Sequence, residues 1–306
     1  MKKWNIHFYG NRKIYFGLSI VLIAVMLVGT MLLGVDLDIQ FKGGALITYS
    51  YSGDIDQAEF QQTVESVLGQ KVSLQQSTDI ASGRQNFVVS LPTSEGLNAD
   101  KQAELAATLV EKYKGNSLAT SSVSVVSPTI GKEFLIKSLT AVAFASLLMV
   151  IYISLRFKKI GGWSAGITAV VALIHDLLMV FAVFALFGIS INANFIAVCL
   201  TILGYSLNDT IVIYDRVREN KRIYGNAMPI EELMDLSLNQ SFTRSLMTSI
   251  TTVCSMVVVS IVAYLYNVTS ILSFSIPMIF GMISGCYSSL CIATMLWVIW
   301  QKKKAA

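Results

Sequence analysis

The chain has 306 residues, of which 54% are hydrophobic and 14% are charged, with a mean hydropathy of +0.62 and a formal net charge of +4. This composition is too apolar for a soluble domain and is typical of a polytopic membrane protein. The positive charge does not indicate nucleic-acid binding, because the basic residues gather at the ends of apolar segments.

Six apolar segments are long enough to cross a bilayer, which takes about 17–25 residues in a helix. They lie at 14–34, 134–155, 163–188, 193–214, 245–266 and 274–300. The first follows Lys2, Lys3, Arg12 and Lys13, as a signal peptide would. Its apolar core is longer than that of a signal peptide and no Ala-x-Ala site follows, so we predict a retained span.

Basic residues also follow the second and fourth spans and end the chain, whereas the loops 189–192 and 267–273 are uncharged. The positive-inside rule then places both termini in the cytoplasm. We expect a cytoplasmic N-terminus and first span at 1–34 and an extracytoplasmic domain at 35–133. The other five spans lie within 134–306, with a cytoplasmic loop at 216–244. All four cysteines fall in spans, so no disulfide framework is predicted.

The segment 35–133 predicts the order β-α-β-β-α-β. The strands are expected at 44–51, 71–76, 86–91 and 121–126, and the helices at 56–68 and 98–114. Asp54 or Asp56 is the expected cap of the first helix and Asn98 that of the second, with a turn at Ser82-Gly83 between the middle strands. This order is typical of a small ferredoxin-like α+β domain. Its open sheet face or edge could accept an extended peptide or pack on another folded subunit.

The predicted loop 216–244 contains one helix start, indicated by Pro229 followed by Glu231 and Glu232. Apolar residues recur after this start, and we expect them to lie along the membrane surface. They are Ile230, Leu233, Met234 and Leu238.

His175 and Asp176 lie near the middle of the third span. Ionisable residues at that depth are functional by default, which favours a proton-relay pair. The alternative is one buried ionic hydrogen bond that fixes the helix register. A stripe of small residues runs towards Asp176 and allows close approach of a neighbouring helix. It comprises Gly162, Gly166, Ala169 and Ala172.

Asp209 lies in the fourth span, at the lower end of a seam of polar and small residues at helical spacing. This polar seam comprises Asn194, Ala197, Thr201, Gly204 and Asn208. Arg244, at the start of the fifth span, is the obvious partner for the Asp209 carboxylate. The alternative is that Asp209 is solvated at the membrane interface.

Arg244 heads a face of hydroxyl residues in the fifth span, and Gly281, Gly285, Ser288 and Ser289 give the sixth span a small face. The hydroxyl residues are Thr248, Thr251, Thr252 and Ser255. They form either a hydrated polar wall or ordinary packing with bonds back to the preceding turn.

A carboxylate placed between burial and a nearby arginine can load a proton from one side and release it to the other. Each elementary charge that crosses the membrane is worth about 2.3 kcal/mol per 100 mV. We therefore predict a set of proton-coupling residues: Asp209, Arg244, Asn208, Asp176, His175, Thr248 and Thr252. No Walker A or H-E-x-x-H motif is present, so we expect no enzyme, cofactor or metal site.

Four motifs together resemble the SecF branch of the SecD/SecF family, in the resistance-nodulation-division superfamily. They are Phe41-Lys42-Gly43-Gly44 and the segments 204–220, 241–252 and 285–289. The resemblance covers nearly the whole chain. It implies assistance to preprotein export driven by the proton motive force, with Asp209 and Arg244 at the positions that matter for proton conduction. The implied partners are SecD, the SecYEG channel with SecA, YajC, the translocating preprotein and the lipid bilayer. Lys42 stands where relatives often have Arg, and nothing like SecD is expected to be fused to the chain.

Two other functions remain as alternatives. One is half of a proton-driven efflux transporter of the same superfamily, although such pumps carry a much larger external region. The other is a non-conducting scaffold for SecD, in which the polar residues serve assembly.

Overall fold

The structure, a computed structural model, describes residues 6–78, 84–91, 99–225, 227–266 and 268–305. Lys2, Lys3, the predicted turn at Ser82-Gly83 and the predicted cap Asn98 lie outside these residues.

The chain begins with one long apolar helix, α1 (Arg12–Leu33), and continues into a small α+β domain. The elements of the domain are α2 (Ile39–Lys42), β1 (Gly44–Tyr51), α3 (Gln57–Leu68), β2 (Ser73–Thr78), β3 (Gln85–Leu91), α4 (Ala99–Lys112) and β4 (Ala119–Val126). The sheet order is β2-β3-β1-β4 and all pairs are antiparallel. The predicted ferredoxin-like order is therefore confirmed.

The local signals in this domain act as expected. Asp56 caps α3 by accepting a hydrogen bond of 2.8 Å from the Ala58 backbone N–H. Phe60 of α3 packs on Phe87 and Tyr49 of the sheet, and all three side chains are fully buried. The edge strand β4 is exposed along most of its length, so the described helices leave this edge of the sheet uncovered.

The motif Phe41-Lys42-Gly43-Gly44 joins the domain to the spanning helices. Gly43 has a φ of +81°, and a Cβ there would lie 2.5 Å from the Pro128 Cα, so only glycine fits. Lys42 forms an ion pair of 2.9 Å with Asp36. The Asp36 carbonyl in turn accepts a 2.8 Å hydrogen bond from the Ile191 backbone, which ties the domain to a loop between two spans.

Five more spans follow the domain. They are α5 (Pro128–Arg156), α6 (Gly162–Leu186), α7 (Ala193–Tyr224), α8 (Ile230–Leu265) and a sixth span made of α9 (Thr269–Ser288), a π-helical turn (Ser289–Ala293) and α10 (Thr294–Ala305). With α1, the described chain thus holds six helices long and apolar enough to cross a membrane, as predicted. The helices α6 and α9 lie at the centre of the bundle, whereas α1 and α5 bury little of their surface.

Small residues set the helix spacing. A Cβ at Gly162 would overlap the Ser154 carbonyl of α5, and one at Gly166 would lie 2.6 Å from the Ser154 hydroxyl. A Cβ at Gly285 would lie 3.0 Å from the Ser206 Cβ. The predicted stripe on α6 and small face on α9 are therefore sites of close helix contact.

The segment predicted as the cytoplasmic loop 216–244 is mostly helical, because α7 continues to Tyr224 and α8 already begins at Ile230. The expected helix start is present, but no helix-breaking residue follows it, so the helix runs on into the fifth span. The expected position along the membrane surface is wrong. Leu233, Met234 and Leu238 are buried in the main core of the bundle.

Candidate functional site

The Asp176 carboxylate on α6 is fully buried in the bundle. It accepts hydrogen bonds from the hydroxyls of Ser206 at 2.8 Å, Ser284 at 2.7 Å and Ser288 at 2.7 Å. His175 Nδ1 lies 3.2 Å from the same carboxylate. Both carboxylate oxygens are thus satisfied by groups on α6, α7 and α9.

A chain of hydroxyl groups continues from this carboxylate along α7. The Ser206 hydroxyl lies 3.3 Å from that of Ser289, which accepts a 2.9 Å hydrogen bond from Thr210. Ser289 is the first residue of the π-helical turn, and it donates to the Ser206 carbonyl at 2.9 Å. π-helical turns within α-helices are frequent at functional sites. We call the set His175, Asp176, Ser206, Thr210, Ser284, Ser288 and Ser289 the closed cluster.

Asp209 has different surroundings, although it is adjacent to Thr210 in the sequence. Its side chain is only 3% exposed, yet its Oδ2 atom has no hydrogen-bond partner among the described residues. A buried polar atom without a partner calls for an explanation, and a functional role is one of the explanations. The carboxylate is therefore held inside the bundle without a fixed set of donors.

Arg244 lies on α8 and is exposed. No salt bridge joins it to Asp209 in the described structure, although it is within electrostatic reach of that carboxylate. Its side chain lines a cavity of about 1180 Å³ at the basic end of the spans, the end opposite the α+β domain. Val212, one helical turn from Asp209 on α7, lines the same cavity.

The polar seam of α7 faces outward over most of its length. Ala197, Thr201, Gly204 and Asn208 are exposed, and Asn208 has no hydrogen-bond partner among the described residues. Asn194, at the start of the seam, donates to the Ser273 hydroxyl at 2.7 Å. Small and polar side chains at membrane depth are typical of helix–helix contacts.

The hydroxyl face of α8 makes mostly local bonds. Thr248 donates to the Arg244 carbonyl at 2.9 Å, and Thr251, Thr252 and Ser255 bond to their own preceding turns in the same way. Such bonds match the packing alternative raised for this face. Thr252 also lies 3.1 Å from the hydroxyl of Tyr205 on α7.

The predicted site residues thus fall into two places. His175 and Asp176 belong to the closed cluster, while Asp209, Arg244 and Asn208 lie around the basic cavity and the polar seam. Sequence analysis missed Tyr205, Ser206 and Ser284 as site residues. Ser284 and Ser288 are four residues apart and so share a helix face, which was a usable signal. Among the described residues, no group of three or more His, Cys, Asp or Glu side chains could hold a metal ion.

Comparison with known proteins gives one consistent family. A family model described as protein export membrane protein SecD/SecF, C-terminal, matches residues 106–303. The protein translocase subunit SecF of Sebaldella termitidis is 32% identical over 286 residues, which cover 94% of this chain and 89% of that protein. The subunit SecDF of Bacillus subtilis is 32% identical over 99% of this chain, which spans only 39% of that longer protein.

Solved structures agree with the sequence matches. The crystal structure of SecDF from Thermus thermophilus, named there as a translocon-associated membrane protein, superposes with a TM-score of 0.80 at 26% identity. The match covers 98% of this chain and 39% of that chain. A super-membrane-facing form of SecDF superposes with a TM-score of 0.71.

Proposed function

The chain belongs to the SecD/SecF family of protein-export membrane proteins, and from that premise we propose that it is a proton-coupled auxiliary subunit of the Sec translocase. The observation that carries the proposal is the buried Asp209 carboxylate, whose Oδ2 atom lacks a donor within the described chain. A carboxyl group that accepts no hydrogen bond from the described chain can change its protonation without breaking one.

Coupling requires that the proton on Asp209 changes the state of another group. Arg244 is that group, because it is within electrostatic reach of Asp209 and also lines the basic cavity. When Asp209 is ionised, Arg244 is drawn towards it; when Asp209 is protonated, Arg244 is released. Since α8 carries Arg244, this exchange moves α8 relative to α7, and thus the loop that follows α8 near the α+β domain.

The proton path needs a second half. The polar seam of α7 is exposed in this chain, and the SecDF relatives are longer chains of which this one matches about two fifths. We therefore infer that a SecD subunit covers the seam and completes the path beside Asn208, Thr248 and Thr252. The export complex would further comprise the SecYEG channel with SecA, YajC and the translocating preprotein.

The orientation follows from charge. The basic end of the spans carries Arg156, Arg216 and Arg222, and the positive-inside rule places that end in the cytoplasm. Both termini would then be cytoplasmic, and the α+β domain would act on preproteins at the outer surface of the bacterial cell membrane.

The closed cluster favours a different role for His175 and Asp176. Because the Asp176 carboxylate already accepts three hydroxyl hydrogen bonds, moving its side chain out of this position would break all of them. This observation supports the register-fixing alternative, and we assign these two residues to the positioning of α6, α7 and α9 around the proton site.

The test is the substitution Asp209→Asn, measured as preprotein import into inverted membrane vesicles at fixed ATP, with and without a proton gradient. We expect the gradient-dependent part of transport to be lost while the complex with SecD still co-purifies. The matched control is Asp215→Asn, since Asp215 is on the same helix but is already paired with Arg156 and Arg218. Gradient-dependent transport at the wild-type rate in Asp209→Asn would refute the coupling role.

A further inference from the structure

The basic cavity has a lining that the proton-coupling function does not require. It lies between the C-terminal parts of α5 and α7 and residues 240–244 of α8, and eight of its lining side chains are Lys or Arg against two acids. The positive-inside rule explains why basic residues occur at this end of the spans. It does not explain why they converge on one cavity of about 1180 Å³.

Only part of this charge is neutralised within the chain. Asp215 pairs with Arg156 at 3.3 Å and with Arg218 at 2.8 Å, and Glu219 pairs with Arg216 at 2.6 Å. Five lining cations form no salt bridge in the described part of the chain: Lys158, Lys159, Lys221, Arg222 and Arg244. Positive groups gathered at short range repel one another, so the cavity favours an anion with more than one negative oxygen.

An apolar groove adjoins the basic cavity. Leu155 and Lys158 line both, and the groove, of about 450 Å³, continues past Ile151 to Trp163 and Trp300. The two tryptophans are 71% and 43% exposed, as is usual for side chains at the boundary between lipid headgroups and acyl chains. The cavity and the groove together therefore offer basic groups at headgroup level and an apolar wall beside them.

We propose that this cavity is a binding site for an anionic phospholipid, whose phosphate contacts the unpaired cations and whose acyl chains lie along the apolar groove. Basic cavities between spanning helices on the cytoplasmic side are suited to acidic lipid headgroups. A free phosphate would use the cations but leave the groove unused, and nucleic acid would not enter a site that opens at membrane level. The charge of the cavity and the groove next to it thus select a lipid.

The test uses the full chain, purified in detergent and stripped of lipid, with bound lipid counted by native mass spectrometry. The probes are dioleoyl-phosphatidylglycerol, dioleoyl-phosphatidylcholine and inorganic pyrophosphate. We expect retention of phosphatidylglycerol over phosphatidylcholine. Two double variants, Lys158→Gln with Lys159→Gln and Lys221→Gln with Arg222→Gln, should each weaken phosphatidylglycerol binding by up to about 25-fold, since each basic residue contributes roughly fivefold near an acidic membrane.

The matched control is Lys132→Gln with Lys137→Gln, which removes the same charge at the other end of α5 and should leave binding unchanged. Equal retention of both lipids, or equal binding by all variants, would mean an unspecific lipid layer and would overturn the proposal. Pyrophosphate binding that matches the lipid in strength and competes with it would assign the cavity to a free anion instead. Displacement of the lipid by a glutamate-rich peptide with higher affinity would assign it to a protein partner.

Discussion

Asp176 and Asp209 are carboxylates on neighbouring helices of one bundle, and both are buried, yet their surroundings differ. Asp176 accepts hydroxyl hydrogen bonds on both oxygens, from two other helices. Asp209 lies beside the exposed polar seam and has a buried oxygen without a partner in the described chain. Depth of burial alone therefore does not identify a carboxylate that takes part in proton coupling. The state of its hydrogen bonds separates a group that fixes structure from one that is free to change.

The largest expected effect comes from Arg244. Arg244→Leu should remove all gradient-dependent transport, as Asp209→Asn does, because the proton on Asp209 then has no charge to act on. Arg244→Lys should retain most of it, since Arg244 forms no two-pronged ion pair with any described residue that would need a guanidinium. The measurement is transport into inverted vesicles with and without a gradient. Different phenotypes for Arg244→Leu and Asp209→Asn would separate the two residues and contradict a shared path.

The predicted pairing of Asp209 with Arg244 also shows how far the sequence alone can be read. The order of the α+β domain and the Asp56 cap could be predicted because strand alternation and helix capping act over a few residues. The place of both charges near the same end of the bundle could be predicted from span order. Their separation could not, because it depends on how far α8 lies from α7, which is set by side chains on both helices.

Only part of the closed cluster could be predicted, because its members come from helices that are distant in the sequence. His175 and Asp176 are conspicuous in an apolar span, whereas the three serine donors lie on α7 and α9, more than 25 residues away along the chain. The burial of the apolar residues in 216–244 could not be predicted either. They lie in one core with Phe8 of the N-terminal segment and Trp297 of α10, which no local pattern reveals.

The second prediction tests the stability side of the comparison. Asp176→Ala removes the acceptor of three interhelical hydroxyl bonds, each worth about 0.6 kcal/mol on average and up to about 1.7 in membrane bundles. We expect a loss of about 2–4 kcal/mol in the free energy of unfolding in mixed micelles. Asp209→Ala should change it by less than about 0.5 kcal/mol, because no bond to the free oxygen is lost. Similar losses of unfolding free energy in both variants would contradict the distinction between Asp176 and Asp209.

The third prediction compares two glycines with the same substitution. Gly285→Leu places a side chain against Ser206 of the closed cluster, where a Cβ alone would already lie 3.0 Å from the Ser206 Cβ. Overpacking of this kind costs about 1–3 kcal/mol in unfolding free energy. Gly204→Leu lies on the polar seam with nothing within 4 Å, so the isolated chain should keep its stability.

Gly204→Leu should instead reduce co-purification with SecD, if that subunit covers the seam. If the Gly204→Leu chain is stable alone and still binds SecD fully, SecD does not cover the polar seam. Both substitutions raise helix propensity by about 1 kcal/mol, so the difference between their unfolding free energies reports packing only.

The smallest expected effect concerns two tyrosine hydroxyls on α7. The Tyr214 hydroxyl is fully buried and lies 2.9 Å from the Thr168 hydroxyl, whereas the half-buried Tyr205 hydroxyl lies 3.0 Å from Ser249 and 3.1 Å from Thr252. Tyr214→Phe should cost about 1 kcal/mol of unfolding free energy, because its partner has no access to water. Tyr205→Phe should cost about half as much, since Tyr205 and Thr252 are only partly buried and water can replace part of the lost hydroxyl contact. Tyr205→Phe could instead lower the unfolding free energy of the isolated chain more than Tyr214→Phe does. The contact between α7 and α8 would then be rigid, and the α8 movement proposed to follow from the Asp209 proton could not occur there.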